Sequence, residues 1–292
     1  MTATLSFRQL IESLPQQAVQ KAIAKTYKDV HRADQERLAL AAESPTSTSD
    51  ISDSQSGKNY NLNRYSDVVP YNHNRVRLHG SHDYINASHI TLPPQLSANK
   101  YIATQGPLPH SIADFWRMVW EQNANAIVML ANPVEALRSK CAEYWPLHVG
   151  DSKKWGDLLV TLRDERPMQG CLSVIVRKIA ISSGGAERLV TQFHYTEWPD
   201  HGVPTSPGPL LRIIDELRSN VSPLPDSPVV VHCSAGVGRT GTFVIIDAAR
   251  RYFSKSQDYQ GDFVADAFRS MRTQRTLMVQ TLAQYMMCYQ VI

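Results

Sequence analysis

The side chain with the clearest capacity for chemistry is a cysteine set in a run of small residues. The stretch VHCSAGVGRTGTF (231–243) places Cys233 six positions before Arg239. The apolar run PVVVHC (228–233) predicts a buried strand and the apolar-striped segment 242–253 predicts a helix, so a glycine-rich loop connects the two. Backbone amides at such a helix N-terminus form an anion site. The loop is not a Walker nucleotide-binding loop, because it lacks that loop's lysine.

The surroundings expected for Cys233 favour its thiolate form. The loop amides, the positive end of the helix and the guanidinium of Arg239 all stabilise a negative charge. The same groups would hold the terminal oxygens of a phosphate, two of them gripped by Arg239. A thiolate in such a cradle is suited to attack the phosphorus of a phosphate ester. A lone cysteine is by default an inert core residue, but the arginine and the glycines at 236, 238 and 241 reverse that preference.

The composition excludes several other classes of protein. A chain of 292 residues that is 42% hydrophobic can bury a sizeable core, as one large domain or two small ones. Its 30 Lys and Arg nearly balance 27 Asp and Glu, which argues against a dedicated nucleic-acid binder. None of the four cysteines forms a C-x-x-C pair, so we expect reduced thiols and no zinc site. Without a convincing signal peptide or an 18-residue apolar run, we expect a soluble cytoplasmic protein with no membrane span, nuclear entry being left open.

The elements that must position the loop can be predicted from composition and periodicity. Residues 1–40 are predicted to be an N-terminal helical segment, 41–58 a flexible Ser/Thr/Asp-rich linker or loop, and 59–292 the main body. Strand-like segments are 126–130, 170–183, 189–199 and 228–233, and helical ones are 112–120, 207–219, 242–253 and everything from about Phe263 onward. This interleaving predicts an α/β domain with a mixed sheet and helices on its faces.

The cysteine loop resembles the signature of the protein tyrosine phosphatases: His-Cys, five residues, then Arg followed by Ser or Thr. Other cysteine-dependent phosphatases, arsenate reductases and rhodaneses have related short loops. Seven further segments resemble family motifs in the family's order: NRYSDV (63–68), DYINAS (83–88), YIATQGPLP (101–109), FWRMVWE (115–121), KCAEYWP (140–146), WPDHGVP (198–204) and VQTLAQY (279–285). The similarity to a tyrosine-specific, non-receptor type catalytic domain covers 59–292. It implies one domain with a highly twisted mixed β-sheet flanked by helices, and neither cofactor nor metal.

The resemblance also implies a first chemical step with defined roles. Cys233 would be the nucleophile, and Arg239 would bind the phosphate. Asp200, in WPDHG, matches the family's general acid on a mobile loop, and would protonate the leaving tyrosine oxygen; such transfer typically contributes ~10²–10⁴-fold. An unrelated Pro-Asp is usually just a turn, but Trp198 and Gly202 fit a hinged lid.

A second step would hydrolyse the resulting cysteinyl-phosphate. By resemblance, Gln280 positions the attacking water with help from Gln284, and ionised Asp200 accepts its proton. Gln280 and Gln284 are four residues apart, so we expect them to share a helical face; without the resemblance we would interpret them as an ordinary polar stripe. Thr240 would donate a hydrogen bond to the sulfur of Cys233 and ease its departure as thiolate.

Other residues match the family's substrate-binding and supporting positions. Tyr65 resembles the aromatic wall of a pocket too deep for phosphoserine, and Asp67 resembles the carboxylate that binds the substrate backbone. The phosphate would lie against the loop residues Ser234, Ala235, Gly236, Val237 and Gly238. The supporting residues would be His232, which precedes the nucleophile and is not expected to be a base, and Glu135 and Lys140, which match a loop that supports Arg239 and the acid loop. Ala136 stands where some relatives have lysine.

Two features outside the motifs have competing interpretations. Arg269, Arg272 and Arg275 recur every three residues, which we interpret as a solvated helical face rather than a second phosphate contact. Leu277 stands where some relatives have glycine. It would either project into an opening that, in those relatives, leads to a second phosphate surface near the residue matching Arg272, or simply pack inward, in which case the opening has no relevance here.

The expected partners are phosphotyrosine-containing proteins, acted on by a monomer, and no nucleic acid. ERLAL (36–40) resembles a kinase-docking peptide, which would make a kinase a partner, but we prefer an amphipathic helix packed on the domain. Two rival functions are a dual-specificity or lipid phosphatase and a non-catalytic phosphotyrosine-binding module. Tyr65 argues against the first, and the presence of Cys233, Arg239 and Asp200 argues against the second.

Overall fold

The computed structural model of the chain describes residues 6–43, 48–80, 82–199, 202–219, 227–255 and 258–292. The helices are α1 (Phe7–Glu12), α2 (Gln17–Glu43), α3 (Ser52–Gln55), α4 (Ile112–Glu121), α5 (Gly208–Ser219), α6 (Gly238–Phe253), α7 (Phe263–Arg272) and α8 (Leu282–Val291). The strands are β1 (Arg75–Arg77), β2 (Tyr84–Thr91), β3 (Lys100–Thr104), β4 (Ala126–Met129), β5 (Val134–Glu135), β6 (Arg138–Ser139), β7 (Ser152–Trp155), β8 (Leu158–Met168), β9 (Cys171–Ser183), β10 (Ala186–Tyr195) and β11 (Val229–His232). Short 3₁₀ turns lie at Tyr60–Leu62 and Pro109–Ser111.

One large mixed sheet organises the molecule. Its nine strands run in the order β1-β2-β3-β11-β4-β10-β9-β8-β7, and β5 and β6 form a separate hairpin. The central strands β3, β11, β4 and β10 pair in parallel, whereas the pairs on either side are antiparallel. The strand β11, which directly precedes the cysteine, therefore lies near the middle of the sheet, between two parallel neighbours.

Helices cover both faces of this sheet. Alternate strand residues point to opposite faces: Val231 packs with α5, α6, α7 and α8, whereas the adjacent Val230 packs with α4. In β4, Val128 and Ile127 divide between the two cores in the same way. Burial on both faces explains why the central strands are continuous apolar runs in the sequence. The predicted α/β domain with a mixed sheet flanked by helices is confirmed.

The N-terminal helical segment packs on the body of the protein. α2 lies against α7 and α8. Its Ile23 is buried in the larger of the two cores, the one on the sheet face covered by α5, α6, α7 and α8. Leu40, in the stretch that resembles a kinase-docking peptide, is exposed near the far end of the helix. α2 is thus a long helix with one packed face, which agrees with the amphipathic interpretation.

The segment predicted as a linker or loop is attached to the body over its described part, residues 48–58. The side chain of Asn72 donates to Asp50 at 2.8 Å, and the carboxylate of Asp53 accepts from Nε of Arg75 at 2.7 Å. Ser54, in the short helix α3, is buried. Asp50 and Asp53 of this segment thus bond with Asn72 and with Arg75 of the edge strand β1. Residues 44–47 lie outside the described part of the chain.

The prediction of helix from Phe263 onward is wrong in one respect. α7 ends at Arg272 and residues 273–281 form a loop before α8, with Leu277 and Val279 both at φ 57°, which no α-helix accommodates. The interpretation of the three arginines as a solvated face is also wrong, because the helix ends before Arg275. Arg269 is exposed, but Arg272 and Arg275 are among the most deeply buried large side chains.

Candidate active site

The cysteine loop, residues 233–238, lies between β11 and α6 at the carboxyl end of the parallel strands. β11 ends at His232 and α6 begins at Gly238, so the predicted strand, loop and helix are all present. In open α/β sheets this edge is where ligands bind. The helix N-terminus points its amides at the loop, as an anion site requires.

The carbonyl groups of the cysteine loop all bond outward. His232 Nδ1 donates to Cys233 O, Gly106 N to Ser234 O, and Gly241 N to Val237 O. Ala235 O and Gly236 O both accept from the guanidinium of Arg275, at 3.0 Å each. In a trans peptide the N–H points opposite to the preceding C=O, and the described residues contain no cis peptide. The amides of residues 234–238 therefore turn inward, toward the cysteine.

Arg275 is a site residue that sequence reasoning missed. Its side chain is fully buried beneath the cysteine loop, where it also donates to Asn86 Oδ1 at 2.7 Å and to Ser88 Oγ at 3.2 Å. Burial lowers the pKa of Arg275 to about 10, so the guanidinium stays charged at neutral pH. Its partners come from β2 and from the cysteine loop, so the sequence around position 275 contains no pattern that predicts these contacts.

Gly236 is required by two independent constraints. Its φ of +71° is in the left-handed region, and a Cβ there would lie 2.0 Å from the carbonyl oxygen of Thr104. The loop thus presses against the end of β3 so closely that any side chain would displace it.

Cys233 lies at the base of the inward-facing amides and is 6% exposed. Its sulfur accepts from the amide of Gly236 at 3.3 Å and from Oγ1 of Thr240 at 3.5 Å. Both contacts are made by groups that stabilise negative charge on sulfur. Thr240, in the first turn of α6, therefore directs its hydroxyl at the sulfur of Cys233.

A buried chain of hydrogen bonds leads from the sheet to the cysteine. Arg177 Nη1 donates to Gln192 Oε1 at 2.9 Å, Gln192 Nε2 donates to Tyr144 Oη at 2.7 Å, and Tyr144 Oη bonds His232 Nε2 at 2.7 Å. Because the hydroxyl oxygen of Tyr144 accepts from Gln192, its hydrogen is donated to Nε2 of His232. The proton of the His232 ring is therefore on Nδ1, which donates it to Cys233 O. His232 thus holds the backbone of Cys233 and directs neither ring nitrogen at its sulfur.

The neutral state of His232 has a consequence for stability. Complete burial lowers its pKa to about 4 from 6.5, so between these pH values the unfolded chain binds a proton that the folded chain does not. Folding stability should therefore fall as pH falls through this window. From pH 7 to pH 5 we expect His232 to account for a loss of about 2 kcal/mol.

Urea unfolding of the wild type and His232→Gln at both pH values measures this loss. His194, whose pKa burial lowers to about 3, titrates in both proteins and so cancels. The variant should be less sensitive to pH, whatever its stability at pH 7. Equal losses in the two proteins would contradict a neutral, buried His232.

Arg239 is fixed by a two-point ion pair with Glu135. Nη1 and Nη2 lie 2.7 and 2.8 Å from the two carboxylate oxygens, and both side chains are less than a tenth exposed. Nη1 also donates to Leu130 O and Nη2 to Pro199 O. The sequence-predicted neighbour Lys140 is buried nearby, and its carbonyl accepts from Ser234 Oγ at 3.1 Å. Glu135, in the hairpin of β5 and β6, thus fixes the guanidinium of Arg239.

The acid loop, residues 198–204, is tied to the site at its start. Trp198 is buried in the larger core and donates from its ring to Gly202 O at 3.2 Å, and Gly202 has a φ of +128°. Pro199 O accepts from Arg239 at 3.0 Å. Asp200, the predicted acid, lies outside the described residues. Arg239, which would bind the phosphate, therefore also holds the backbone of the residue before Asp200.

Tyr65 lies over the cysteine loop. Its hydroxyl bonds Ser234 Oγ at 2.9 Å, and the backbone beside it is held by Arg64, whose guanidinium donates to Gly106 O and Pro107 O. Asp67, two residues on, is exposed. Tyr65 is therefore in contact with the cysteine loop, and the roles expected for Tyr65 and Asp67 stay predictions.

Gln280 and Gln284 meet beside the cysteine loop, but not on one helical face. α8 begins at Leu282, so Gln280 precedes it, and the expectation of a shared face is wrong. Instead, Gln284 turns back in a capping box, and its Oε1 accepts from the amides of Gln280 at 3.0 Å and Thr281 at 3.2 Å. A Cβ on Gly238 would lie about 3 Å from both glutamine side chains.

The described residues contain no cluster of three or more His, Cys, Asp and Glu able to hold a metal ion. Nor, within those ranges, does any helix combine the length and apolar character that crossing a membrane requires.

Known proteins resemble the chain over most of its length. A family model described as Protein-tyrosine phosphatase matches residues 59–292. The chain is similar to tyrosine-protein phosphatase non-receptor type 4 of Homo sapiens, with 41% identity over 232 residues, which is 78% of this chain and 24% of the relative. It is also similar to receptor-type tyrosine-protein phosphatase H of Homo sapiens, with 45% identity over 240 residues, 79% of this chain and 20% of the relative.

A more distant animal relative gives the same result. Tyrosine-protein phosphatase 1 of Caenorhabditis elegans is 40% identical over 229 residues, 76% of this chain and 22% of the relative. The chain thus spans about a fifth to a quarter of the length of these relatives, which include receptor and non-receptor types. The family match begins at residue 59 and so does not include α2.

Proposed function

This chain belongs to the protein-tyrosine phosphatase family, and on that basis we propose that it hydrolyses phosphotyrosine in proteins through a cysteinyl-phosphate. The observation that carries the proposal is the ring of inward-facing amides in the cysteine loop around the sulfur of Cys233. Arg239 adds a fixed positive charge beside it. An anion cradle with a thiol at its base suits attack on a phosphate ester, whereas a module that only binds phosphotyrosine needs no thiol there.

In the first step the sulfur of Cys233 attacks phosphorus. A sulfur–phosphorus bond forms, and the bond between phosphorus and the tyrosyl oxygen breaks. That oxygen takes a proton from Asp200, because a phenol with a pKa of about 10 leaves poorly as an anion. The loop amides and Arg239 stabilise the charge on the three oxygens that do not react.

In the second step water attacks the same phosphorus and inorganic phosphate leaves. The sulfur–phosphorus bond breaks, and Cys233 departs as a thiolate stabilised by the hydroxyl of Thr240. Asp200, ionised by the first step, takes the proton of the water, so both groups return to their starting states. Gln280, beside Gly238 at the edge of the loop, is suited to position the water.

The position of Tyr65 supports phosphotyrosine as the substrate class. Its ring stands beside the loop and its hydroxyl bonds the loop at Ser234, so a substrate must pass the ring to reach the sulfur. A phosphorylated tyrosine is long and flat enough to do so, and it stacks on the ring as it enters. Phosphoserine and phosphothreonine are too short to reach the sulfur past that wall.

Substrate discrimination tests the proposal directly. For one peptide sequence carrying phosphotyrosine or phosphothreonine, we expect kcat/KM to favour phosphotyrosine by on the order of 10³-fold. Tyr65→Phe should keep most of this preference for phosphotyrosine, since the ring remains. Tyr65→Ala should lower the ratio of the two kcat/KM values. Equal turnover of the two peptides, or faster turnover of a phosphoinositide, would reject the proposed substrate class.

We also propose a cytoplasmic location. All four cysteines are free thiols, which persist in a reducing compartment.

A further inference from the structure

The loop that contains Gln280 is bonded to the helix α2 along its whole length, residues 276–280. Some of these bonds come directly from α2, and the others come from Arg272, which α2 holds. We refer to residues 276–280 as the glutamine loop. Asp34 Oδ2 accepts from Thr276 Oγ1 and from the amide of Leu277, both at 3.3 Å. The hydroxyl of Tyr27 donates to Gln280 O at 2.5 Å.

Arg272 completes these contacts and is itself held by α2. Its Nη1 donates to Asp34 Oδ2 at 2.9 Å, while Nε donates to Met278 O at 2.7 Å and Nη2 to Val279 O at 3.0 Å. Asp34 and Arg272 are each 1% exposed. Arg37, one turn along α2, bonds the same carboxylate and the carbonyl of Arg272. Arg272, which matches the residue near which some relatives have a second phosphate surface, is thus already paired with a carboxylate of this chain.

The backbone of the glutamine loop needs such support. Leu277 and Val279 both have a φ of 57°, a region that residues with a side chain rarely adopt and that β-branched valine disfavours most. Conformations of this kind persist only where surrounding contacts over-determine them. Asp34 bonds residues 276 and 277, Arg272 bonds residues 278 and 279, and Tyr27 bonds residue 280. Both strained residues and their neighbours in the loop are therefore held in place.

The glutamine loop also presses directly on the cysteine loop. The amide of Val279 donates to Val237 O at 3.1 Å, and a Cβ on Gly241 would lie 2.6 Å from that same amide nitrogen. The side chain of Gln280 begins 3.1 Å from where a Cβ on Gly238 would be. A small shift of this loop therefore moves Gln280 relative to the phosphorus.

Tyr27 has little freedom to move away from Gln280. Its ring stacks on Phe268 of α7, with centroids 5.8 Å apart, and contacts Tyr285 of α8 at 5.7 Å. The hydroxyl is thus held at the C-terminal side of the glutamine loop while Asp34 holds the N-terminal side. The two residues are two helical turns apart on α2, so they fix the loop at both ends from one rigid element.

We propose that Tyr27 and Asp34 are positioning residues for the second chemical step, through which α2 holds Gln280 where it can orient water. The inference rests on the proposed function, since it uses the role of Gln280 given there. Gln280 has no part in forming the cysteinyl-phosphate. Loosening the glutamine loop should therefore slow breakdown of the intermediate and leave its formation unchanged.

The test is a rapid-quench measurement on the full chain with a phosphotyrosine peptide. Acid-stopped protein is analysed by mass spectrometry for phosphate on Cys233, which gives the rate of decay of the intermediate. Tyr27→Phe removes one hydroxyl and keeps the stacked ring, so we expect decay to slow by about 3- to 10-fold, the factor equivalent to one lost hydrogen bond. Asp34→Asn should slow it further, while kcat/KM, which reports formation, stays within about 2-fold of the wild type for both variants.

Tyr285→Phe is the matched control. It removes a hydroxyl from the same aromatic cluster, one that bonds Tyr289 rather than the glutamine loop, and it should leave decay unchanged. If Asp34→Asn fails to fold, Tyr27→Phe alone decides. A fall in kcat and kcat/KM by the same factor would indicate a merely structural role and would overturn the proposal.

The outcomes also separate this proposal from the one on which it rests. Turnover by the wild type without any phosphate on Cys233 would refute the cysteinyl-phosphate mechanism. An intermediate that forms and then decays equally fast in the wild type, Tyr27→Phe and Asp34→Asn would leave the mechanism intact and refute the positioning role of α2.

Discussion

Cys233→Ser is expected to remove turnover by at least about 10⁴-fold while phosphopeptide binding persists. A serine hydroxyl needs a base to become a nucleophile, and the adjacent His232 is not placed to supply one. Its Nδ1 donates to Cys233 O and its Nε2 is bonded to Tyr144, so neither nitrogen can accept a proton from the side chain at position 233. The inward-facing amides and Arg239 do not depend on the sulfur, and the anion cradle should remain.

Initial rates with a phosphotyrosine peptide, together with calorimetric titration of the same peptide, measure both parts of this result. Cys171→Ser provides a matched control, because Cys171 is a half-buried thiol at the start of β9, next to Ser173 and apart from the cysteine loop. That variant should retain full activity. Substantial turnover by Cys233→Ser would exclude a phosphocysteine intermediate.

Asp200→Asn should slow aryl phosphates with poor leaving groups by about 10²–10⁴-fold and activated ones far less. A nitrophenolate leaves readily without a proton, whereas a tyrosinate does not, so the loss should grow with the pKa of the leaving phenol. The variant should also flatten the alkaline limb of the pH–rate profile, where the wild type loses the proton of its acid. Position 200 directly follows Pro199, whose carbonyl is bonded to Arg239, so the acid belongs to a segment already anchored at the phosphate site.

A series of substituted phenyl phosphates measures this dependence as a slope of log(kcat/KM) against leaving-group pKa. Glu197→Gln is the control, because it removes an exposed carboxylate three residues earlier in the chain. It should leave the slope of the wild type unchanged. Equal losses across the series in Asp200→Asn would mean that Asp200 does not donate the proton.

Much of the site could be predicted because its determinants are local. The strand at 228–233, the glycine-rich turn and the helix after it are consecutive in the sequence, and each has its own periodicity or composition. The observed β11 and α6 agree with them, apart from a helix that begins four residues earlier than the apolar stripe, at Gly238. The contact of Thr240 with Cys233 joins residues only seven positions apart in the chain.

What escaped prediction depends on contacts between distant segments. Arg275 was interpreted as solvated because its spacing from Arg272 matched a helix, but the helix ends between them and the guanidinium bonds a loop some forty residues away in the chain. Asp34 lies in a polar helical segment, and it is buried against Arg272 and the loop at 276–277, which are more than 230 residues away in the chain. Periodicity cannot reveal a helix end that is imposed by tertiary contacts.

The order of strands in the sheet also determines when during folding the nucleophile becomes active. β11 pairs with β3 and β4, which end 100 or more residues before it begins, and the glutamine loop that presses on the cysteine loop comes later still. Joining segments so distant along the chain costs loop-closure entropy, and such non-local pairs form slowly. We therefore expect the cysteine loop to take its final shape among the last events of folding. A growing polypeptide that has passed residue 233 but not 275 would carry the cysteine without the arginine that fixes its loop, and so could not yet act on the proteins around it.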